Sequence, residues 1–204
     1  MRRPTRNLVT RSRNCDESGL KVVHLFDTRM ISSETFKRYL DFAYDAYQCH
    51  SVADEYRQVG NVPFMTHPLG AAHLLIADTL VPHEERELGF KILLLHDVLE
   101  DTSLPLPEWV EEDVRNGVIE MTYTGPKKLE EKMAWAGSKS SFIRLLVLYD
   151  AFWTLYERHV GGSVDRKESW RRGVSELAEQ VAQEYGDLRI VQIARAVAVG
   201  TKWE

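Results

Sequence analysis

The chain has 204 residues, of which 44% are hydrophobic and 28% are charged, with a formal net charge of −5. This length and apolar content suffice for a domain with its own core. The negative balance excludes an overall basic field that would attract nucleic acid or an anionic membrane. No run of about 18 apolar residues is present, so we expect no membrane span. The net negative charge disfavours a nucleic-acid partner.

The two cysteines, Cys15 and Cys49, lie far apart and in no paired ligand motif. We therefore expect neither a disulfide framework nor a cysteine zinc site, and a reducing, cytoplasmic setting. The N-terminal segment is rich in arginine, has no acid before Asp16 and is followed by no signal-peptide-like apolar stretch. A transit peptide and a weak nucleic-acid anchor are open alternatives. We predict a flexible, basic tail over residues 1–30 and one domain over residues 31–204.

Helical periodicity begins behind Ser32 and Ser33, which can cap a helix start. The apolar residues that recur there three and four apart are Phe36, Tyr39, Leu40, Ala43, Tyr44 and Tyr47. Residues 56–64 contain glycine, asparagine and proline, which is typical of a loop. His67-Pro68 then opens a second helix with proline in the first turn, so His67 should stand where that helix begins.

A third helix should begin near Pro82, because the glutamates that follow complement the positive end of a helix dipole. We predict that it ends near Thr102 and runs through six residues dense in ionisable groups, His96-Asp97-Val98-Leu99-Glu100-Asp101. At about 100° per residue, these ionisable side chains share one sector of the helix surface. Crowded carboxylates beside an apolar run must take up protons or share a cation. We favour a bound divalent metal.

Further along, residues 108–114 are predicted to form a short helix stopped by Asn116-Gly117, and another helix begins at Pro126. Residues 142–155 are apolar nearly all round, as in a central helix, yet they include Asp150. Two more helices cover about residues 165–185 and 187–199, with Gly186 as the break. No period-2 strand pattern occurs, so we predict an all-α domain.

Three of these polar residues have an ordinary alternative interpretation when each is taken alone. His67 could cap a helix, His96 could be a satisfied core histidine, and Asp150 could accept hydrogen bonds from a neighbouring helix end. Together with Asp97 they supply two imidazoles and two carboxylates from three helices. Such a mixed nitrogen and oxygen site suits manganese, iron, cobalt or zinc, with positions left for water and substrate.

The same residues resemble the pattern of the HD-domain metal phosphohydrolases: His67-Pro68, the six-residue segment from His96, and Asp150 in Leu148-Tyr149-Asp150. The Glu100-Asp101 pair and the Pro63–Pro68 segment are most similar to the hydrolase domain of the RelA/SpoT homologues and their small stand-alone relatives. Those enzymes remove the 3′-diphosphate of (p)ppGpp. The resemblance covers about residues 35–160. It implies an all-helical HD-domain bundle with a metal site between helices.

The resemblance also implies roles for individual residues. The metal ligands would be His67, His96, Asp97 and Asp150, with manganese as the metal, and the pair that handles the attacking water would be Glu100 and Asp101. Arg57 would lie near the nucleotide, although a solvated loop arginine is an equal alternative. Lys127, Lys128 and Lys139 are weaker phosphate-binding candidates, because lysines on exposed helices usually serve only solubility.

The chain departs from the family in its last motif, which usually reads Lys-Leu-Ala-Asp followed by Arg or Lys, with an asparagine three residues further on. Here Val147 and Ala151 replace the two basic residues, and Thr154 replaces the asparagine. Thr154 is a candidate substrate-binding residue, but a hydroxyl offers fewer hydrogen bonds than an amide. Recognition of the ribose or the base therefore need not be the same.

Three functions remain open from the sequence. The first is metal-dependent hydrolysis of the 3′-diphosphate of (p)ppGpp or a close relative, which makes a small nucleotide the expected partner. The second is an HD-domain nucleotidase or phosphatase that acts on another phosphorylated metabolite. The third is a nucleotide-binding regulatory module without turnover, which the intact acid pair argues against. The sequence leaves the oligomeric state open.

Overall fold

The computed structural model describes residues 32–49, 63–125, 129–158 and 164–198. These ranges contain nine helices and no strand, which confirms the all-α prediction. The helices are α1 Ser33–Cys49, α2 Thr66–Ala77, α3 His83–Leu95, α4 Val98–Asp101, α5 Glu112–Met121, α6 Leu129–Gly137, α7 Ser141–Arg158, α8 Val164–Tyr185 and α9 Arg189–Ala198. None of these described helices is both long and apolar enough to cross a bilayer. The predicted tail over residues 1–30 lies outside the described residues, and the division into tail and domain stays a prediction.

The first helix begins where its sequence signals predict. The amide of Thr35 donates to Oγ of Ser32 at 3.1 Å, which satisfies one of the free N–H groups of the first turn. Tyr39 and Tyr47 are buried on the inner face of α1, but Tyr44 is 59% exposed. Tyr44 therefore belongs to the outer face, although the apolar pattern included it.

The central helix of the bundle is α7, as its sequence predicts. Leu145, Leu146 and Leu148 are fully buried, and α2, α3, α5, α6, α8 and α9 all pack against α7. The apolar run at the end of α3 is buried in the same core. The helices α8 and α9 are separated by Gly186, whose φ of 74° favours glycine, so the predicted break is confirmed.

The prediction of a short helix over residues 108–114 is wrong. The helix α5 begins only at Glu112 and continues through Asn116-Gly117 to Met121. Gly117 is buried against α3, where an added Cβ would lie 2.2 Å from Cδ1 of Ile92. The glycine therefore permits close packing of α5 on α3 and does not stop a helix.

The continuous helix predicted up to Thr102 is interrupted at His96 and Asp97. The helix α3 ends at Leu95, His96 and Asp97 form a turn, and α4 follows as a separate short helix. Nδ1 of His96 donates to the carbonyl oxygen of Leu93 at 2.7 Å, the acceptor that the Asp97 amide would use in a continuous helix. The ψ of Asp97 is −4°, away from the helical value, so the helix ends there for a local chemical reason.

One buried carboxylate joins three segments of the bundle. Asp78, directly after α2, accepts hydrogen bonds from the Leu80 amide at 3.2 Å, the Tyr149 hydroxyl at 3.0 Å and the Ile190 amide at 3.1 Å. Burial, together with the charge of Asp78, raises the pKa of Tyr149 far above its usual range, so Tyr149 remains a donor. The end of α2, the middle of α7 and the start of α9 are thereby held together.

Candidate metal centre

The four predicted metal ligands come from three places in the bundle. His67 is the second residue of α2, His96 and Asp97 form the turn between α3 and α4, and Asp150 lies within α7. Each of these four residues is at most 4% exposed. The fold therefore brings together side chains that are up to 83 residues apart in the sequence.

The two imidazoles lie close to both carboxylates. His67 Nε2 is 2.8 Å from Asp150 Oδ1 and 3.8 Å from Asp97 Oδ2. His96 Nε2 is 3.2 Å from Asp97 Oδ1 and 3.4 Å from Asp150 Oδ1. One ligand atom from each of His67, His96 and Asp97 lies within 4.8 Å of the others. With metal–ligand bonds of about 2.1 Å, two ligands of one ion lie roughly 3.0 to 3.5 Å apart. Both separations of His96 fall in this range, whereas His67 is hydrogen-bonded to Asp150 and would shift slightly to share a cation with Asp97.

The hydrogen bonding of His96 prepares its other nitrogen for a metal. Because the Leu93 carbonyl can only accept, Nδ1 carries the proton, and a neutral ring then presents a lone pair at Nε2. In the described part of the chain, this buried Nε2 makes no hydrogen bond. A lone pair that faces two carboxylates needs a cation or a proton between them, so the donor set fits a divalent metal.

The charges of the cluster also favour a positive ion or a proton at this place. Burial alone would lower the pKa of His96, but the charges of Asp97 and Asp150 outweigh it and raise that pKa to about 9. Burial would raise the pKa of Asp150, yet Lys132 and the two imidazoles hold it well below its usual range. The carboxylates therefore stay ionised and attract positive charge.

The predicted water-handling pair lies directly beside this cluster. Glu100 and Asp101 are partly buried residues of α4, and the Asp101 amide donates to the Asp97 carbonyl at 2.8 Å. Burial, followed by the charge of Asp97, raises the pKa of Glu100 to about 7. Oε1 of Glu100 accepts a hydrogen bond from the Tyr123 amide, which fixes the side chain in place. A carboxyl with this pKa can exchange a proton near neutral pH.

The structure adds Lys132 of α6, which the sequence reasoning missed. Its Nζ lies 3.5 Å from Oδ2 of Asp150, and its side chain is 26% exposed. Its signal in the sequence is helical spacing alone, four residues after Lys128. Only the packing of α6 on α7, the next helix in the chain, connects this lysine with Asp150.

The predicted substrate-binding residues are less completely placed. Arg57, Lys127 and Lys128 lie outside the described residues. Thr154 is partly buried on α7, one turn beyond Asp150. Lys139 lies with its Nζ 4.8 Å from the ring centre of Trp135, a cation–π contact away from the metal ligands. Their roles in substrate binding stay predictions.

Comparison with known proteins gives a likeness of fold. No protein-family model matches the sequence, and no curated protein matches it. A solved structure described as a metazoan ortholog of SpoT, which hydrolyses ppGpp and plays a role in starvation responses, matches with a TM-score of 0.62 and 18% identity. The match covers 83% of this chain and 96% of that chain. The protein has an HD-domain fold.

The shared HD-domain fold agrees with the resemblance seen in the motifs. At 18% identity the match supports the fold alone. The chemistry of this chain follows from its own residues. Those residues form a buried cluster with the donor atoms of a divalent metal site, an adjacent acid pair and a neighbouring lysine.

Proposed function

We propose that the protein is a metal-dependent phosphohydrolase that removes the 3′-diphosphate of (p)ppGpp or a closely related nucleotide and releases diphosphate. The observation that carries this proposal is the buried His67, His96, Asp97 and Asp150 cluster with the Glu100 carboxyl beside it. The fold shared with a ppGpp hydrolase supports it. A small nucleotide is the proposed partner, in a cytoplasmic setting.

Manganese is the proposed cation, and the residues proposed to hold it are the four of the cluster. When bound there, a divalent cation polarises a phosphoryl oxygen and lowers the pKa of its water from 15.7 towards about 7. Nδ1 of His96 supports this arrangement by keeping Nε2 available as a ligand atom. Lys132 supports it by keeping Asp150 ionised.

The proposed reaction transfers the diphosphate to water. The water oxygen bonds to the phosphorus next to the ribose, the bond from that phosphorus to the 3′ oxygen breaks, and the 3′ oxygen takes up a proton. Glu100 is the proposed general base that accepts the proton of the attacking water, and Asp101 aligns that water. Such acid–base help typically contributes about 10²–10⁴-fold to the rate. The Tyr123 amide keeps the Glu100 carboxylate oriented for this role.

The deciding experiment is a substrate panel with the full chain loaded with Mn²⁺. ppGpp, GTP and deoxynucleoside monophosphates are compared, with phosphate and diphosphate detected separately. We expect diphosphate from ppGpp and no phosphate from the monophosphates. The reverse result, with intact ppGpp and cleaved monophosphates, would reject the proposal.

Two variants test the assignments within the site. Glu100→Gln should retain Mn²⁺ and lose hydrolysis, whereas Asp97→Ala should lose Mn²⁺ as well. Metal content measured after gel filtration separates the two effects. Activity equal to the wild type in Glu100→Gln would contradict the role of this acid, and unchanged metal content in Asp97→Ala would contradict its role as a ligand.

A second candidate is hydrolysis of a different phosphorylated metabolite. Val147 and Ala151 stand where the related enzymes carry basic residues, and both are buried in the core, with 1% and 0% exposure. These positions therefore offer no cation to a guanosine nucleotide. The same panel distinguishes this candidate, because its substrate would release phosphate while ppGpp remains intact.

A further inference from the structure

We propose that Lys132 is a substrate-binding residue that contacts a phosphate oxygen of the group being hydrolysed. The inference rests on the proposed function and names a residue that determines which substrates the site accepts. It predicts that the site takes substrates with at least two negative charges next to the scissile bond, such as a diphosphate, in preference to singly charged esters.

The position of Lys132 is the first support. Its Nζ is 3.5 Å from Asp150 Oδ2, and its side chain is 26% exposed, whereas that of Asp150 is 5% exposed. The Lys132 side chain thus reaches from solvent to the buried cluster. It is the more accessible partner of this ion pair, and a phosphate group can reach it without first displacing a buried ligand.

The charge balance of the site is the second support. Asp97, Glu100 and Asp150 place three carboxyl groups around one cluster. A divalent cation neutralises only two such charges, so an incoming diphosphate would be repelled without a further cation. In the described part of the chain, the ammonium in contact with this cluster is that of Lys132. Lysine is a compact point charge that suits phosphate oxygens.

The packing of α6 is the third support, because it holds Lys132 in a defined place. Trp135, one turn beyond Lys132, packs on Tyr123 with ring centres 5.1 Å apart, and the Tyr123 amide holds Glu100. On the next face, Met133 packs so closely on α8 that a Cβ at Gly173 would lie 2.9 Å from Met133 Cγ. Packing contacts thus connect the positions of Lys132 and of the proposed general base. A cation that orients a phosphate group requires such a fixed position.

The competing interpretation is that Lys132 serves only as an ion-pair partner that orients Asp150. In that case its removal would weaken metal binding, because Asp150 is a proposed ligand. If Lys132 binds substrate, its removal weakens the binding of phosphate groups while the affinity for Mn²⁺ stays nearly the same.

The experiment uses the full chain with Lys132→Met, Lys132→Arg and, as a matched control, Lys37→Met. Lys37 pairs with Asp41 on the exposed side of α1, so its removal deletes the same charge at a different place. Two affinities are measured for each variant: that for Mn²⁺ alone by titration, and that for inorganic diphosphate by calorimetry at fixed free Mn²⁺. Neither measurement requires turnover.

We expect Lys132→Met to weaken diphosphate binding by about tenfold to a hundredfold, the range for loss of a hydrogen bond to a charged group. Lys132→Arg should restore most of this affinity, and Lys37→Met should leave it unchanged. Unchanged diphosphate affinity in Lys132→Met, or an equal loss of Mn²⁺ affinity, would overturn the inference. Lack of diphosphate binding by the wild type would overturn it as well.

The failure of this inference can be distinguished from that of the proposed function. Lys132-dependent diphosphate binding without hydrolysis of ppGpp would support the inference and reject the proposed substrate. Hydrolysis of ppGpp with the same KM in the wild type and in Lys132→Met would support the proposed function and reject the inference.

Discussion

Glu100→Gln should make the metal-free protein more stable than the wild type at pH 8, although the same change is expected to abolish hydrolysis. Burial beside Asp97 raises the pKa of Glu100 to about 7, so at pH 8 the folded wild type carries an unfavourable charge there. Glutamine is neutral, and its amide oxygen can still accept the hydrogen bond from the Tyr123 amide. The variant thus removes the unfavourable charge and keeps an acceptor for the Tyr123 amide.

The sign and size of the effect follow from proton linkage. A carboxyl whose pKa rises on folding binds its proton more tightly in the folded state, so its contribution to stability is greatest at low pH. That contribution declines as the pH rises from 4.5, the pKa of an unperturbed carboxyl, to the folded value of about 7. With about 1.4 kcal/mol for each tenfold change in proton affinity, the full loss above pH 7 is about 3 kcal/mol. Between pH 5 and pH 8 the advantage of the variant should grow by about 2.5 kcal/mol.

The assay is urea unfolding followed by circular dichroism in buffers with EDTA, at pH 5 and at pH 8, for the wild type and Glu100→Gln. The difference between the two proteins cancels the titration of all groups that they share. The exposed Glu108 supplies a control, because Glu108→Gln should give no advantage that grows with pH. A stability difference for Glu100→Gln that is the same at both pH values would refute the reasoning.

Three further predictions concern the packing and the reaction. Gly117→Ala should cost about 1–3 kcal/mol of unfolding free energy through overpacking on Ile92, whereas Gly137→Ala, which faces only a flexible side-chain end at 3.1 Å, should be near neutral in the same urea titration. Tyr149→Phe should cost about 1.5–3 kcal/mol by removing the hydroxyl donor to Asp78, and an unfolding midpoint equal to that of the wild type would contradict this. The rate of hydrolysis by the Mn²⁺-loaded protein should fall on the acid side as the proposed general base takes up its proton, at a pH below 7 because the cation offsets the Asp97 charge that raises the pKa of Glu100; a rate constant that stays level down to pH 4 would contradict this.

The convergence of His67, His96, Asp97 and Asp150 could be predicted from the sequence because buried polar groups need partners. Each of these residues interrupts or borders an apolar helical segment. A histidine or aspartate buried there needs a hydrogen-bond or ion-pair partner, and the other residues of the set can supply one. The helices α1, α2, α7, α8 and α9 could be predicted for a related reason, since their apolar spacing is long and regular.

Features that depend on contacts between helices could not be predicted in this way. Asn116-Gly117 has the pattern of a helix stop, and only the position of Ile92 shows that the glycine serves close packing. The turn at His96 and Asp97 depends on a side chain that takes a backbone acceptor, which periodicity does not register. In the sequence Lys132 has the pattern of an ordinary surface lysine, and only the packing of α6 on α7 shows its contact with Asp150.

The imidazole of His96 has two tasks, and this affects how its variants must be interpreted. Its Nδ1 keeps the carbonyl of Leu93 away from the Asp97 amide, so it also sets the rotational phase of α4 relative to α3. A His96→Ala protein regains the option of a straight helix, in which Glu100 and Asp101 would swing around the helix axis. Lost turnover in such a protein would therefore combine a missing ligand with misdirected acids, whereas Asp150→Asn changes a proposed ligand and leaves that backbone bend intact.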